Sequence, residues 1–286
     1  MTYKHAILGG TGHIGSALSE VLLRHQQSVL VIGRDADKAG DWIKKGAAYE
    51  VADVNNTAAL SALFRQAERL FILNPPAAPD ADTDALERQQ IKSILEALED
   101  CAPQKIVAIS AYGAQEGDDI FDLGSLYELE KGLAKVNAPV AIIRNAYYMS
   151  NLDQAIDIVK DKGELATLFP EDFKVAMVAH EDVGNFAAEL MMDEREGLFC
   201  CEGPEHYSYR DVANVLSDLL HKDVRLISIP ETGWHDFLVK AGFSEKAAAS
   251  FVNMNKLTIT DKFETPNAHI GKTSLKDYLK KVLLQQ

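Results

Sequence analysis

KHAILGGTGHIGSALSEVLLRHQQSVLVIGR, residues 4–34, reads as strand, glycine turn, helix and strand, and that order decides the fold. His5-Ala6-Ile7-Leu8 is a short apolar run ending in glycine, as a strand buried on both faces requires. Beyond the turn, Ile14, Ala17, Leu18, Val21 and Leu22 recur at helical spacing. The turn itself is Gly9-Gly10-Thr11-Gly12-His13-Ile14-Gly15. Its glycines let the backbone bend sharply, approach a pyrophosphate and pack helix on strand. The helix start offers unpaired N–H groups and a partial positive charge to phosphate oxygens. A glycine pattern alone is weak; between a strand and an amphipathic helix it predicts a dinucleotide site. His13 is expected to meet the cofactor through its backbone.

With 286 residues and 47% hydrophobic content, the chain can bury a large core in one or two domains. A net charge of −14 argues against direct nucleic-acid binding, since no basic field exists to displace counterions. Cys101, Cys200 and Cys201 give neither a disulfide framework nor metal-ligand spacing, so no metal site is expected. The first strand begins almost at the N-terminus and no apolar run is long enough for a membrane. The expected setting is a reducing cytoplasm.

Strand-like and helical runs alternate through residue 150, which predicts an α/β fold: a Rossmann-type, doubly wound parallel sheet spanning 1–150. Strands are expected at Ser28 to Ile32, Ala48 to Ala52, Leu70 to Leu73, Lys105 to Ser110 and Val140 to Arg144. Leu60, Leu63 and Phe64 face inward from one helix, and Ile91, Ile94, Leu95 and Leu98 from another. The acidic lead-in to that second helix, Pro79 to Glu87, reads as solvated. Residues 151–286 read as a smaller C-terminal α/β lobe closing over the cofactor, with the chain returning to the main sheet. Within it, Ser208 and Asp211 begin a helix in the manner of a capping box.

An acidic residue ending the second strand would select NAD(H) by binding the adenosine ribose hydroxyls. That end reads Gly33-Arg34-Asp35-Ala36-Asp37-Lys38. A guanidinium suits a 2′-phosphate through charge-assisted bonds, so Arg34, helped by Lys38, favours NADP(H) over NAD(H). The alternative leaves Arg34 solvated and gives Asp35 the ribose. Asp53, with Val54 beside it, is placed for the adenine. Leu73, Asn74, Pro75 and Ser110, at the ends of the fourth and fifth strands, complete the expected cofactor contacts, because ligands of doubly wound sheets bind at the carboxyl ends of strands. Tyr112, Asn145, Tyr147 and Tyr148 are candidates for a substrate pocket.

Several motifs in order resemble the NmrA-like group of atypical short-chain dehydrogenase/reductase proteins. These are the glycine turn, Gly33-Arg34-Asp35 with Lys38, Ala52-Asp53-Val54, Ile142-Ile143-Arg144-Asn145-Ala146-Tyr147-Tyr148-Met149, His180-Glu181-Asp182-Val183-Gly184 and Glu202-Gly203-Pro204-Glu205. The resemblance implies a Rossmann domain with a small C-terminal lobe. It implies kinship with NADPH-dependent quinone reductases and with non-catalytic NADP(H) sensors that bind regulatory protein partners. Active short-chain dehydrogenases use a Tyr-x-x-x-Lys pair, and Tyr127 and Lys131 fit that spelling as candidate catalytic residues. Counted back from Ile142-Ile143-Arg144, however, extended relatives place the lysine near Leu126 and the tyrosine near Asp122, a turn earlier. A quinone needs little acid help for the first transfer. The leading expectation is therefore an NADPH-dependent reductase of a quinone or small carbonyl compound by direct hydride transfer. The rivals are an NADP(H) sensor and a nucleotide-sugar epimerase.

Overall fold

The computed structural model describes residues 2–261, 263–266 and 268–285. The first half runs β1 (Tyr3–Leu8), α1 (His13–Arg24), β2 (Val29–Gly33), α2 (Ala39–Lys44), β3 (Ala48–Val51), α3 (Thr57–Phe64), β4 (Ala67–Ile72), α4 (Thr83–Leu98), β5 (Lys105–Ala111), α5 (Asp122–Leu133) and β6 (Val140–Asn145). The second runs β7 (Tyr147–Tyr148), α6 (Ile156–Lys162), β8 (Glu164–Thr167), β9 (Val175–Val178), α7 (His180–Met192), β10 (Gly197–Glu202), β11 (His206–Tyr207), α8 (Tyr209–Leu220) and β12 (Arg225–Ser228). It closes with α9 (Trp234–Lys240), α10 (Glu245–Thr260), β13 (His269–Ile270) and α11 (Leu275–Gln285).

Eight strands form one parallel sheet in the order β13-β10-β6-β5-β4-β1-β2-β3. The doubly wound α/β fold is therefore present. Its strand order reverses between β1 and β4, and that break opens a crevice at the carboxyl ends of the strands. Alternate residues serve the two faces. Ile7, Val31, Phe71, Val107 and Ile143 pack under α1 and α7, while Leu8, Ile32, Leu70, Ile106 and Ala108 pack under α3, α4 and α5. Gly184 lets α7 lie against α1, because a Cβ there would sit 2.6 Å from that of Ala17. A third core joins α6, α8 and α11 around Met149, Leu165, Met177 and Tyr278.

Two cations are buried at the amino ends of β4 and β5. Lys105, fully buried, gives its three protons to the Asp193 carbonyl (2.9 Å), the Asp193 carboxylate (3.3 Å) and the Arg195 carbonyl (2.6 Å). Arg69 donates to the carbonyls of Met191 (3.0 Å) and Asp193 (2.7 Å). Together they hold the carboxyl end of α7, where unpaired carbonyls and the helix dipole favour positive charge.

The lead-in to α4 departs from the sequence expectation. Asp82 caps the helix by accepting from the Ala85 N–H, and Glu87 is 4% exposed rather than solvated. Its spacing explains this, for Thr83, Glu87, Ile91, Ile94 and Leu98 lie along one inward stripe.

Candidate active site

The glycine turn is built by crowding. Gly9 has φ +74°, and a Cβ on it would press on Leu73 at 3.2 Å. A Cβ on Gly15 would strike the Gly9 carbonyl, so the helix can approach the turn only as glycine. Gly12 stands at the N-cap of α1 with no side-chain cap, and no acidic residue lies in the first turn. Asn56, Asp82, Ser208 and Ser244 cap α3, α4, α8 and α10, and the helices α2, α5, α6, α7 and α9, which also start without a side-chain cap, each carry an acidic residue in the first turn, as α1 does not. The uncapped N–H groups at this one crevice suit an anion.

Past β2, a Cβ on Gly33 would collide with the Tyr49 hydroxyl and with Thr11. Tyr49 donates to the Asp35 carbonyl at 2.5 Å, fixing the following turn. The Asp35 carboxylate turns back to accept the Asp37 N–H at 3.0 Å. Arg34 and Lys38 are exposed, and neither is in an ion pair among the described residues. This pattern leaves a guanidinium open and a carboxylate occupied, as a phosphorylated ribose needs. Asp53 is exposed and accepts the Asn55 N–H at 2.8 Å, with half-buried Val54 beside it.

At the other end of the crevice lie the ends of β4, β5 and β6. Leu73 and Pro75 are half-buried, and Asn74 keeps an amide oxygen buried without a partner. Asn145 is 3% exposed; its amide nitrogen donates to the Ser110 carbonyl (3.3 Å) and the Tyr148 hydroxyl (3.1 Å). Its amide oxygen also has no partner. Ser110 turns its hydroxyl to Glu130 on α5 at 2.5 Å, and Glu130 is clamped by Arg144 at 2.8 and 2.7 Å.

The four tyrosine and asparagine candidates divide. Asn145 and Tyr148 are joined at the crevice. Tyr112 spends its hydroxyl on Glu202 at 3.0 Å, and burial with that carboxylate pushes its pKa up. Tyr147 faces the third core, hydrogen-bonded to Tyr209 at 3.0 Å and edge-on to Phe169. Tyr127 and Lys131 lie together, the exposed ammonium 5.6 Å from the ring centroid. Neither is hydrogen-bonded to Ser110, whose place beside α5 Glu130 has taken. His13 stands 4.6 Å from His180, ring to ring; burial and then His180 lower its pKa.

Two acidic groups at the crevice were not singled out from sequence. Glu87 accepts from the Ala77 N–H (3.2 Å) and lies 3.1 Å from the Ser125 hydroxyl; burial, with Asp122 adding, pushes it up to about 7. Asp122 opens α5 and burial pushes it up to about 6. A glutamate on the apolar stripe of α4 was the available signal for the first. No periodicity marks the second.

Among the described residues no helix is long and apolar enough to cross a membrane. Festuclavine synthase II of Penicillium roqueforti is 24% identical over 259 residues, spanning 85% of this chain and 83% of its own. A nucleoside-diphosphate-sugar epimerase from Staphylococcus aureus superposes with a TM-score of 0.81 at 13% identity, over 97% of this chain and 99% of its own. An NADPH-dependent quinone oxidoreductase from Escherichia coli, solved with NADPH, superposes at 0.79 with 19% identity, over 98% and 99%. The structures establish the fold. The profile of the NmrA-like family matches residues 1–279, and the chain belongs to that family.

Proposed function

We propose that the protein is an NADPH-dependent reductase of a quinone or similar small carbonyl compound. One observation carries the reading: an uncapped helix start inside a glycine turn, followed one strand later by the unpaired Arg34. Gly9, Gly10, Thr11, Gly12, His13, Ile14 and Gly15 would hold the diphosphate. Arg34 and Lys38 would hold the 2′-phosphate, and Asp53 and Val54 the adenine. Leu73, Asn74, Pro75 and the end of β5 at Ser110 would hold the nicotinamide half. When bound, NADPH supplies a hydride. The chain contributes orientation and a dry pocket, in which the free amide oxygens of Asn74 and Asn145 fix the reacting partners. The quinone oxidoreductase likeness and the family support this chemistry.

Calorimetry with NADPH and NADH, paired with stopped-flow NADPH oxidation against a quinone panel, tests the reading. Arg34→Ala is expected to weaken NADPH about ten- to a hundredfold, the worth of a charged hydrogen bond of ~1.5–3 kcal/mol, and to leave NADH unchanged. Failure to bind NADPH, or binding with no turnover on any quinone, would overturn it. The second reading, an NADP(H) sensor acting through a protein partner, is favoured by the placement of Tyr127 and Lys131 away from the Ser110 hydroxyl. It expects NADPH binding without turnover, and a bound partner that responds to the NADPH/NADP ratio.

A further inference from the structure

Three successive connections at the carboxyl edge of the sheet bring titratable groups together. Glu87 rides on the helix after β4, Asp122 opens the helix after β5, and Tyr148 follows β6. These strands are neighbours, so Asp122 stands between the other two. Asp122 acts electrostatically on both Glu87 and Tyr148. Among the described residues neither carboxyl is in an ion pair. Arg88, next on α4, is committed to Asp84 (2.8 Å), Asp118 (3.1 Å) and Glu128. The further groups that face the cluster include, among the described residues, no cation: the Asp84 carboxylate lies towards Glu87, and the Cys201 thiol, pushed up to about 12 by burial and so uncharged, towards Tyr148.

Hydrogen-bond counting gives an independent sign of a retained proton. The Ser125 hydroxyl lies 3.1 Å from Glu87 Oε2 and 3.1 Å from the Asp122 carbonyl oxygen. One hydroxyl proton cannot fully serve two acceptors. Both contacts are satisfied when Glu87 is protonated and donates to Ser125, which donates to the carbonyl. The backbone that presents Asp122 is also held against its preference. Phe121, just before it, has φ +55° and ψ −132°, a region that side-chain-bearing residues rarely enter. Helix α10 fixes that turn. Its Ser250 hydroxyl accepts the Phe121 N–H (2.5 Å), Asn253 donates to the Asp119 carbonyl (3.0 Å), and Phe251 packs edge-on to Phe121. At the same edge, the almost fully buried Asn145 keeps its amide oxygen free for a ligand.

We infer that Asp122 is the acid of the reduction, delivering a proton to the acceptor oxygen, and that Glu87 behind it is the positioning residue that, through Ser125 and the Asp122 carbonyl, holds the first turn of α5 and with it the Asp122 carboxyl in place. This rests on the reductase reading proposed above. A quinone becoming a hydroquinone gains two electrons and two protons. The hydride supplies both electrons and one proton, NADPH being oxidised to NADP⁺, and the Asp122 carboxyl supplies the other proton. Its carboxylate is reprotonated from water. The assignment fits acceptors that gain an oxygen–hydrogen bond.

Two measurements decide it. The first is the pH profile of kcat with 9,10-phenanthrenequinone. Wild type is expected to fall on the alkaline side as Asp122 ionises. Asp122→Asn should lower kcat about a hundredfold and flatten that limb, with Asp122→Glu restoring part of both. Glu87→Gln, whose neutral amide can still donate to Ser125, should leave kcat and the limb near wild type, whereas Glu87→Leu should lower kcat without moving the limb. The second needs no variant: a carbon-13 NMR titration of the Asp122 carboxyl, free and with NADP⁺, should show a midpoint above that of the exposed aspartates. An Asp122→Asn enzyme with unchanged kcat and limb, or a midpoint in the ordinary aspartate range, would overturn the acid while leaving a reductase. A wild type that binds NADPH but reduces no quinone would take the reductase reading down, and the acid with it.

Discussion

The two ends of the parallel sheet give their buried charged groups different company. At the amino end, Lys105 is wholly enclosed and each of its three protons has an acceptor at the close of α7. At the carboxyl end, Asn74 and Asn145 hold amide oxygens without partners, Glu87 and Asp122 are carboxyls without cations, and α1 starts without a cap. Desolvating a polar group is costly unless the fold supplies a partner. The amino end meets that requirement for Lys105 and for a terminal nitrogen of Arg69, although the Arg69 Nε and the His5 Nδ1 there are also buried without a partner. The carboxyl end does not, and its open valences are what a ligand would fill. The difference is one of charge: a cation cluster tied to the close of α7 at one end, and acids that meet no cation among the described residues at the other.

The largest effect should come from the cation cluster at the amino end. Lys105→Met removes one partner of a buried cluster, strands the Arg195 carbonyl and leaves the Asp193 carbonyl to Arg69 alone. Leaving buried acceptors short of their donor costs about 1–3 kcal/mol each. Urea unfolding should show a loss of that size, while NADPH affinity of the folded variant stays unchanged. Equal stability of variant and parent would mean that the amino end is not the anchor described here.

At the carboxyl end the same kind of change should act with the opposite sign. Glu87 has its pKa raised by burial to about 7. Protonated in both folded and unfolded chains at low pH, it then costs nothing. As pH rises through the ordinary glutamate range, the unfolded chain ionises first, so a cost opens and is complete above about 7. Glu87→Gln keeps an acceptor for the Ala77 N–H and a donor for Ser125. The variant should therefore match wild type in acid and exceed it in mildly alkaline solution, by at most about 3 kcal/mol. Unfolding midpoints across pH check this. A variant less stable at every pH would show that the carboxyl is structural, and the contrast between the two ends would fail.

How much of this was legible in sequence follows from how local each cause is. The glycine turn, the strands of the first half and the Ser208 capping box are written in neighbouring residues, and they read through. Boundaries moved by a residue or two, and β4 begins at Ala67 rather than Leu70, because Arg69 is a charged residue buried inside a strand. Its partners, Met191 and Asp193, lie more than a hundred positions away, and no periodicity shows that. The short strands β7, β11 and β13, two residues each, carry no alternation to detect. Adjacent Tyr147 and Tyr148 look equivalent on paper. In the fold one enters the C-terminal core and the other the crevice, since successive side chains of an extended segment point to opposite sides.

The smallest effect separates spelling from place. Tyr127 and Lys131 carry the right letters at the right interval, yet it is half-buried Glu130, between them on α5, that takes the Ser110 hydroxyl. Lys131 is solvated, with its ammonium 5.6 Å from the Tyr127 ring centroid. An exposed cation over a ring is worth only about 0.5–1 kcal/mol, and its loss touches neither Ser110 nor Asn145. Tyr127→Phe and Lys131→Met should each change kcat/KM for NADPH-dependent quinone reduction by less than about twofold, ~0.4 kcal/mol in the barrier. A hundredfold loss in either would put the pair back into the chemistry. It would require α5 to turn when substrate binds, bringing the tyrosine into the crevice in place of the Glu130 contact. Silence in both, with a strong effect at Asp122, would show that this helix does its work one turn earlier than its most recognisable letters.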